Sequence, residues 1–127
     1  MDTLANAMNS IKVAETRGKP DAVVKPASRL IKDVLSLLKN EGYINDYELL
    51  DDGKSGEFVV RLEGKINAAG VVKPRFSVKK DEWEKYEQRF LPARDLGLLL
   101  VSTSQGVITH NEAKKRGIGG KLLAYTY

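Results

Sequence analysis

At 127 residues the chain has the length of one domain, or of two small half-domains sharing a core, and is too short for a large multidomain enzyme. With 42% hydrophobic and 30% charged residues it can fold but cannot span a membrane, since its longest apolar run is Leu96 to Val101, and with no cysteine and one histidine it lacks the usual ligands for zinc or iron–sulfur centres. The net charge of +4, from 21 basic and 17 acidic side chains, is modest, and its distribution is more informative than its total.

The opening Met1-Asp2-Thr3-Leu4-Ala5-Asn6 has no basic segment leading into an apolar one, so the expectation is an intracellular protein without disulfides. Thr3 is an N-cap candidate for a helix over residues 3–17, in which Leu4, Ala7, Met8 and Ile11 recur at helical spacing before Gly18 and Pro20 stop it. Asp21 to Lys25 is a short β-prone run ended by Pro26. Ser28 then caps a second helix whose Leu30, Ile31, Val34, Leu35 and Leu38 form one apolar stripe, ended by Gly42. Residues 43–50 and 57–63 read as the strands of a hairpin, the second placing Phe58, Val60 and Leu62 on one face, with turn chemistry in Asp51-Asp52-Gly53-Lys54-Ser55-Gly56. Residues 64–80 read as a connector rich in Gly and Lys that contains an edge strand over 75–79. Asp81 with Glu84 predicts an acidic cap for a short helix that carries Trp83, Tyr86 and Phe90 into the core of the second half and closes at Pro92. Leu96 to Val101 reads as a central strand, Ser102 to Ile108 as the loop at its end, Thr109-x-x-Glu112 as a capping box for a helix ended by Gly117, and Lys121 to Tyr127 as a final strand. The expected fold class is α+β: an N-terminal α-β-α-β-β half, residues 1–64, packed on a C-terminal, mainly β half, residues 65–127, that contains a short β-α-β unit.

Charge is uneven along this order. Residues 12–32 hold 6 basic and 2 acidic side chains and residues 88–127 hold the same numbers, whereas residues 33–63 hold 3 basic and 8 acidic. Two basic regions flank an acidic one, a pattern that fits a polyanionic partner as well as an ordinary charge mosaic. Enzymatic motifs fail. Gly117-Ile118-Gly119-Gly120-Lys121 has Lys115 where a phosphate loop needs its first Gly and Leu122 where it needs Ser or Thr, so it reads as the turn that ends a helix. His110-x-Glu112 lacks the cysteines of a deaminase zinc site, and Asp51 with Asp52 has no apolar setting to raise a carboxyl pKa. No catalytic, metal or cofactor site is expected. Ser102-Thr103-Ser104-Gln105-Gly106, followed by a helix N-terminus and by Lys114-Lys115-Arg116, is different. Its hydroxyls and amide can address base edges and the 2′-OH, Gly106 permits close approach, and the basic triplet neutralises phosphate. The residues alone also permit a polar loop before a capped helix.

The run Ser102-Thr103-Ser104-Gln105-Gly106-Val107-Ile108-Thr109-His110-x-Glu112-Ala113, leading to Gly119-Gly120 and an alternating aromatic end, resembles the signature of the small-subunit ribosomal protein eight family. Leu4-Ala5-Asn6, Lys25-Pro26-Ala27-Ser28-Arg29-Leu30-Ile31 and Gly42-Tyr43-Ile44 resemble its N-terminal landmarks in the same order, so the likeness covers the whole chain. Lys73-Pro74-Arg75-Phe76 and Leu91-Pro92-Ala93-Arg94-Asp95 depart from the shorter bacterial pattern and resemble the archaeal and eukaryotic branch, with the compact length favouring an archaeal member. The resemblance implies a cytoplasmic constituent of the small ribosomal subunit that binds the central domain of its rRNA early in assembly, without catalysis. It maps the main RNA contact onto Ser102, Thr103, Ser104, Gln105 and Gly106, with Thr109, Lys115 and Arg116 nearby, and a second contact onto Thr3, Lys25, Ser28 and Arg29. Neighbouring small-subunit proteins are implied as partners, and its own messenger RNA is a further candidate. The alternative is a non-ribosomal regulator that binds a messenger structure resembling that rRNA helix; a protein adaptor and an enzyme fit less well.

Overall fold

A computed structural model describes residues 3–25, 27–51, 53, 56–93 and 96–127. The expectations that involve Met1, Asp2, Pro26, Asp52, Lys54, Ser55, Arg94 and Asp95 lie outside the described residues. The elements run α1 (Thr3–Thr16), β1 (Asp21–Val24), α2 (Arg29–Asn40), β2 (Ile44–Leu50), β3 (Glu57–Leu62), β4 (Ala69–Val71), β5 (Ser77–Val78), α3 (Trp83–Phe90), β6 (Leu98–Thr103), β7 (Gly106–Thr109), α4 (His110–Arg116) and β8 (Gly120–Thr126). Two helices with one antiparallel sheet, then two helices with a second, make the class α+β. The chain divides into two units, Met1–Ala69 and Gly70–Tyr127.

In the first unit the sheet order is β1-β3-β2, both pairings antiparallel. The apolar stripe of α1, Leu4, Ala7, Met8, Ile11 and Ala14, is buried, as is that of α2 at Ile31, Val34, Leu35 and Leu38, while Leu30, expected in the same stripe, is only half-buried at its edge. Removal of each such Leu, Ile or Val side chain from water contributes about 1.5–3 kcal/mol. Phe58 and Val60 of β3 are buried between more exposed neighbours, the period-two pattern of a sheet with one covered face. Ser28 caps α2 as its sequence predicts, its Oγ accepting the Ile31 N–H at 3.2 Å. Thr3 instead lies inside α1 as its first residue.

The second sheet has the order β4-β8-β6-β7, with β5 also paired to β8. Four of its features depart from expectation. Residues 64–80 contain two short strands: β5 is the core of the edge strand expected over 75–79, whereas β4 is too brief for periodicity to register. The strand predicted from Leu96 begins at Leu98, because Gly97 adopts φ +95 and Leu96 is exposed. The predicted loop Ser102 to Ile108 is a tight hairpin, since Gly106 to Thr109 forms β7 and pairs Thr103 with Gly106 and Leu100 with Thr109. Asp81 and Glu84 do not cap α3: the helix starts after Glu82, whose carboxylate instead accepts the Lys79 N–H at 3.0 Å. Trp83 and Tyr86 do enter the core, with Val72, Val78, Leu99, Val101 and Leu122, and the indole N–H donates to the Ile118 carbonyl at 3.2 Å.

Gly117 ends α4 at φ +65, as predicted, but the next two glycines serve a separate purpose. A Cβ at Gly120 would sit 2.6 Å from the Ser102 carbonyl oxygen and 2.9 Å from Thr103 Cγ2, and one at Gly119 would collide with the Val78 carbonyl. Their bareness lets β8 enter between β5 and β6. Gly120→Ala should therefore cost about 1–3 kcal/mol through overpacking against backbone. A fall in the urea midpoint at unchanged slope is the expected result; an unchanged midpoint would mean that the strands separate freely.

Candidate nucleic-acid interface

The hydroxyl-rich segment is presented on the rigid turn between β6 and β7. Thr103 organises it from within: its Oγ1 accepts the Gln105 N–H at 3.0 Å and donates to the Gly106 carbonyl at 2.9 Å. The proton and one of the two acceptor lone pairs of that hydroxyl are thus used by the turn. Ser104 and Gln105 stand exposed at its tip, and Ser104 has no side-chain partner among the described residues. Gly106 has φ +104, a conformation costly for other residues, and no heavy atom lies within 4 Å of where its Cβ would be. The backbone face there is open. Ser102 is half-buried on β6, opposite Val107 and Lys121.

Helix α4 braces the tip. Arg116 donates through Nη1 to Gln105 Oε1 at 2.9 Å and through Nε to Glu112 Oε1 at 3.0 Å, so one guanidinium ties the last turn of the helix to the hairpin. The Gln105 carboxamide then faces outward with its NH2 group free to donate. Thr109 is buried, 4% exposed, and its Oγ1 caps α4 by accepting the Glu112 N–H at 3.2 Å, so its position serves the helix that carries Arg116. Glu112 spends its carboxylate on Arg116, four residues along, and only the threonine half of the predicted capping box is seen. Lys115 is exposed and has no carboxylate partner among the described residues.

In the first unit Thr3 is exposed, and the other three predicted residues surround the entry to α2. Lys25 pairs with Glu57 at 3.3 Å, Arg29 with Asp33 at 3.4 Å, and the Ser28 hydroxyl caps the helix.

Sequence reasoning missed the support beneath α4. His110, considered there only as a deaminase-like zinc ligand and as part of the family signature, is 3% exposed; its Nδ1 accepts the Leu99 N–H at 3.0 Å and its Nε2 lies 3.0 Å from Glu87 Oε1. Lys114 contacts the same carboxylate. Because β7 gives way to helix at His110, the Leu99 amide has no strand carbonyl opposite, and the imidazole takes that place. An N–H acceptor at Nδ1 and a donor at Nε2 require the neutral ring, and burial pushes the imidazole pKa down, opposed by the charge of Glu87 and aided by that of Lys114. Nothing local in the sequence announces this tie, which joins α3, β6 and α4. Among the described residues no cluster of His, Asp and Glu can hold a metal ion, and no helix is long and apolar enough to cross a membrane.

The family model described as ribosomal protein S8 matches residues 2–127 of the chain.

The histidine tie has a signed pH dependence. An unfolded histidine takes up its proton near pH 6.5, while native His110 takes it up only at lower pH. Between those two values the unfolded chain binds more protons, so stability is complete above about pH 6.5 and falls as the pH drops below it, by at most about 1.4 kcal/mol per pH unit. Urea midpoints measured from pH 7.5 to 5.5 should fall for the native sequence and fall less steeply for His110→Gln, starting from a lower value. Parallel curves would show that the imidazole is not held neutral.

Proposed function

The chain belongs to the ribosomal protein S8 family, a family of rRNA-binding structural proteins of the small ribosomal subunit, and from that premise we propose that it binds the central domain of the rRNA directly and nucleates assembly there. In this reading the β6–β7 hairpin enters the shallow groove of an irregular rRNA helix. Ser104 and the Gln105 amide address base edges and 2′-hydroxyls, the bare Gly106 backbone lets the sugar–phosphate wall approach, and Lys115 neutralises phosphate. The observation that carries it is the hairpin tip, whose shape is fixed internally by Thr103 and Arg116 while the Ser104 hydroxyl is left without a partner. Donors and acceptors already ordered in this way lose little entropy on binding.

Thr3, Lys25, Ser28 and Arg29 supply a second contact in this reading. The surface pairs Lys25–Glu57 and Arg29–Asp33 hold their cations weakly, by about 0.2–1 kcal/mol, so phosphate competes with them readily. We assign the chain to the archaeal branch on the segments 73–76 and 91–95.

Binding to a fragment of the central-domain rRNA helix, compared with a regular duplex of equal length, tests the reading; equal affinities would overturn it. Ser104→Ala should weaken binding to the cognate fragment by about 1–3 kcal/mol while leaving the melting temperature unchanged, because its hydroxyl supports nothing inside the protein. A hydroxyl with only a structural role would produce the reverse pattern.

Lys115 and Arg116 should separate in the same assay. Lys115→Ala should weaken both RNAs by similar factors and make the salt dependence shallower by about 0.7–0.9 per lost phosphate contact. Arg116→Ala should weaken the cognate fragment more than the duplex, since it releases Gln105 as well as a charge. Identical profiles for the two variants would show that Arg116 does not position the tip.

A further inference from the structure

A second set of side chains in the same unit, aromatic rings that belong to the core or pack against it together with two exposed cations, is arranged in a way that the hairpin does not account for. Helix α3 turns Lys85 and Arg89, four residues apart, to one side, and both lie over aromatic rings. Lys85 Nζ is 5.5 Å from the centre of the Tyr86 ring, and the Arg89 guanidinium is 4.8 Å from that of Phe76 and 5.3 Å from that of Phe90. Tyr86 and Phe76 are neighbours at 5.7 Å. Beyond Phe90 the row continues onto β8, where Phe90 stacks on Tyr125 at 5.9 Å and 22°, and Tyr125 on Tyr127 at 6.3 Å and 20°. Five rings thus form one continuous row with Lys85 at its start and Arg89 between Phe76 and Phe90.

Two properties distinguish this row from simple core packing. Neither Lys85 nor Arg89 has a carboxylate partner among the described residues, although Glu84 and Glu87 lie on the same helix. The aromatic faces hold both cations in place, and the guanidinium keeps its N–H edges free to fork a phosphate. The last ring of the row also stays accessible: Tyr127 stacks on Tyr125 and packs against the core, yet the residue is half-exposed. Cations that follow a phosphate backbone, combined with a partly exposed ring on which a base can stack, make up the chemistry by which proteins hold single-stranded nucleic acid.

We propose that this row is a second RNA-contact surface, which takes an unpaired segment by stacking a base on Tyr127 and holding phosphates at Arg89 and Lys85. It is separate in residues and in chemistry from the hairpin, which is read here as addressing a helix. The unpaired cations favour RNA over an apolar protein partner.

Hexaadenylate and an abasic hexamer of equal charge, titrated against the full chain at low salt, provide the test. Hexaadenylate should bind, and the abasic hexamer should bind on the order of tenfold more weakly, because stacking is lost. Tyr127→Ala should bring hexaadenylate down to about the abasic level; Tyr127 lies outside β8, so the strand ladder is untouched. Arg89→Gln should weaken both hexamers and make the salt slope shallower by about 0.7. Ser104→Ala should change neither. Absence of hexaadenylate binding, equal binding of the two hexamers, or an indifferent Tyr127→Ala would each overturn the proposal. Loss of cognate-helix binding with hexaadenylate binding retained would overturn the hairpin reading alone.

Discussion

The second unit depends on two missing side chains. Strand β8 sits inside its sheet, with β4 and β5 on one side and β6 on the other, and it reaches that place only because Gly119 and Gly120 let it pass against the carbonyls of Val78 and Ser102. Once β8 is seated, Leu122 closes the core beneath Trp83, Tyr125 and Tyr127 extend the aromatic row, and Ser102 and Thr103 are set at the base of the hairpin. The glycines carry no chemistry of their own. They decide where the chemistry stands.

The elements whose signals are local were legible in the sequence. The apolar stripes of α1 and α2, the Ser28 and Thr109 caps and the left-handed Gly117 each depend on residues within one or two turns, and each is found as expected. What escaped is what depends on partners distant in the chain. β4 exists because β8 offers it hydrogen bonds, β7 because Gly106 reverses the chain at the tip, and the Glu82 contact because Lys79 turns back toward it. The candidate site divides in the same way. The exposed tip of Ser104, Gln105 and Gly106 could be read from composition, whereas the use of Thr103 inside the turn, the capping role of Thr109 and the reach of Arg116 to Gln105 required the fold.

Charge has been divided between internal and external use. Counted along the chain, residues 88–127 are the basic end, yet Lys114 faces Glu87 and Arg116 faces Glu112. Among the described residues of that stretch, the cations left without carboxylate partners are Arg89 on α3, Lys115 on α4 and Lys121 on β8, fewer than the count implies and drawn from different elements. Net charge therefore predicts the class of partner better than the place where it docks.

The imidazole that stands in for a strand carbonyl has one more consequence. The Leu99 amide is held by a side chain of the helix α4, whereas the β6–β7 ladder itself closes at Leu100 with Thr109. Exchange of the Leu99 amide with solvent deuterium therefore requires α4 to lift away from β6, and exchange of the neighbouring ladder amides requires the strands to part. A single backbone position thus records how often the helix that steadies the hairpin lets go.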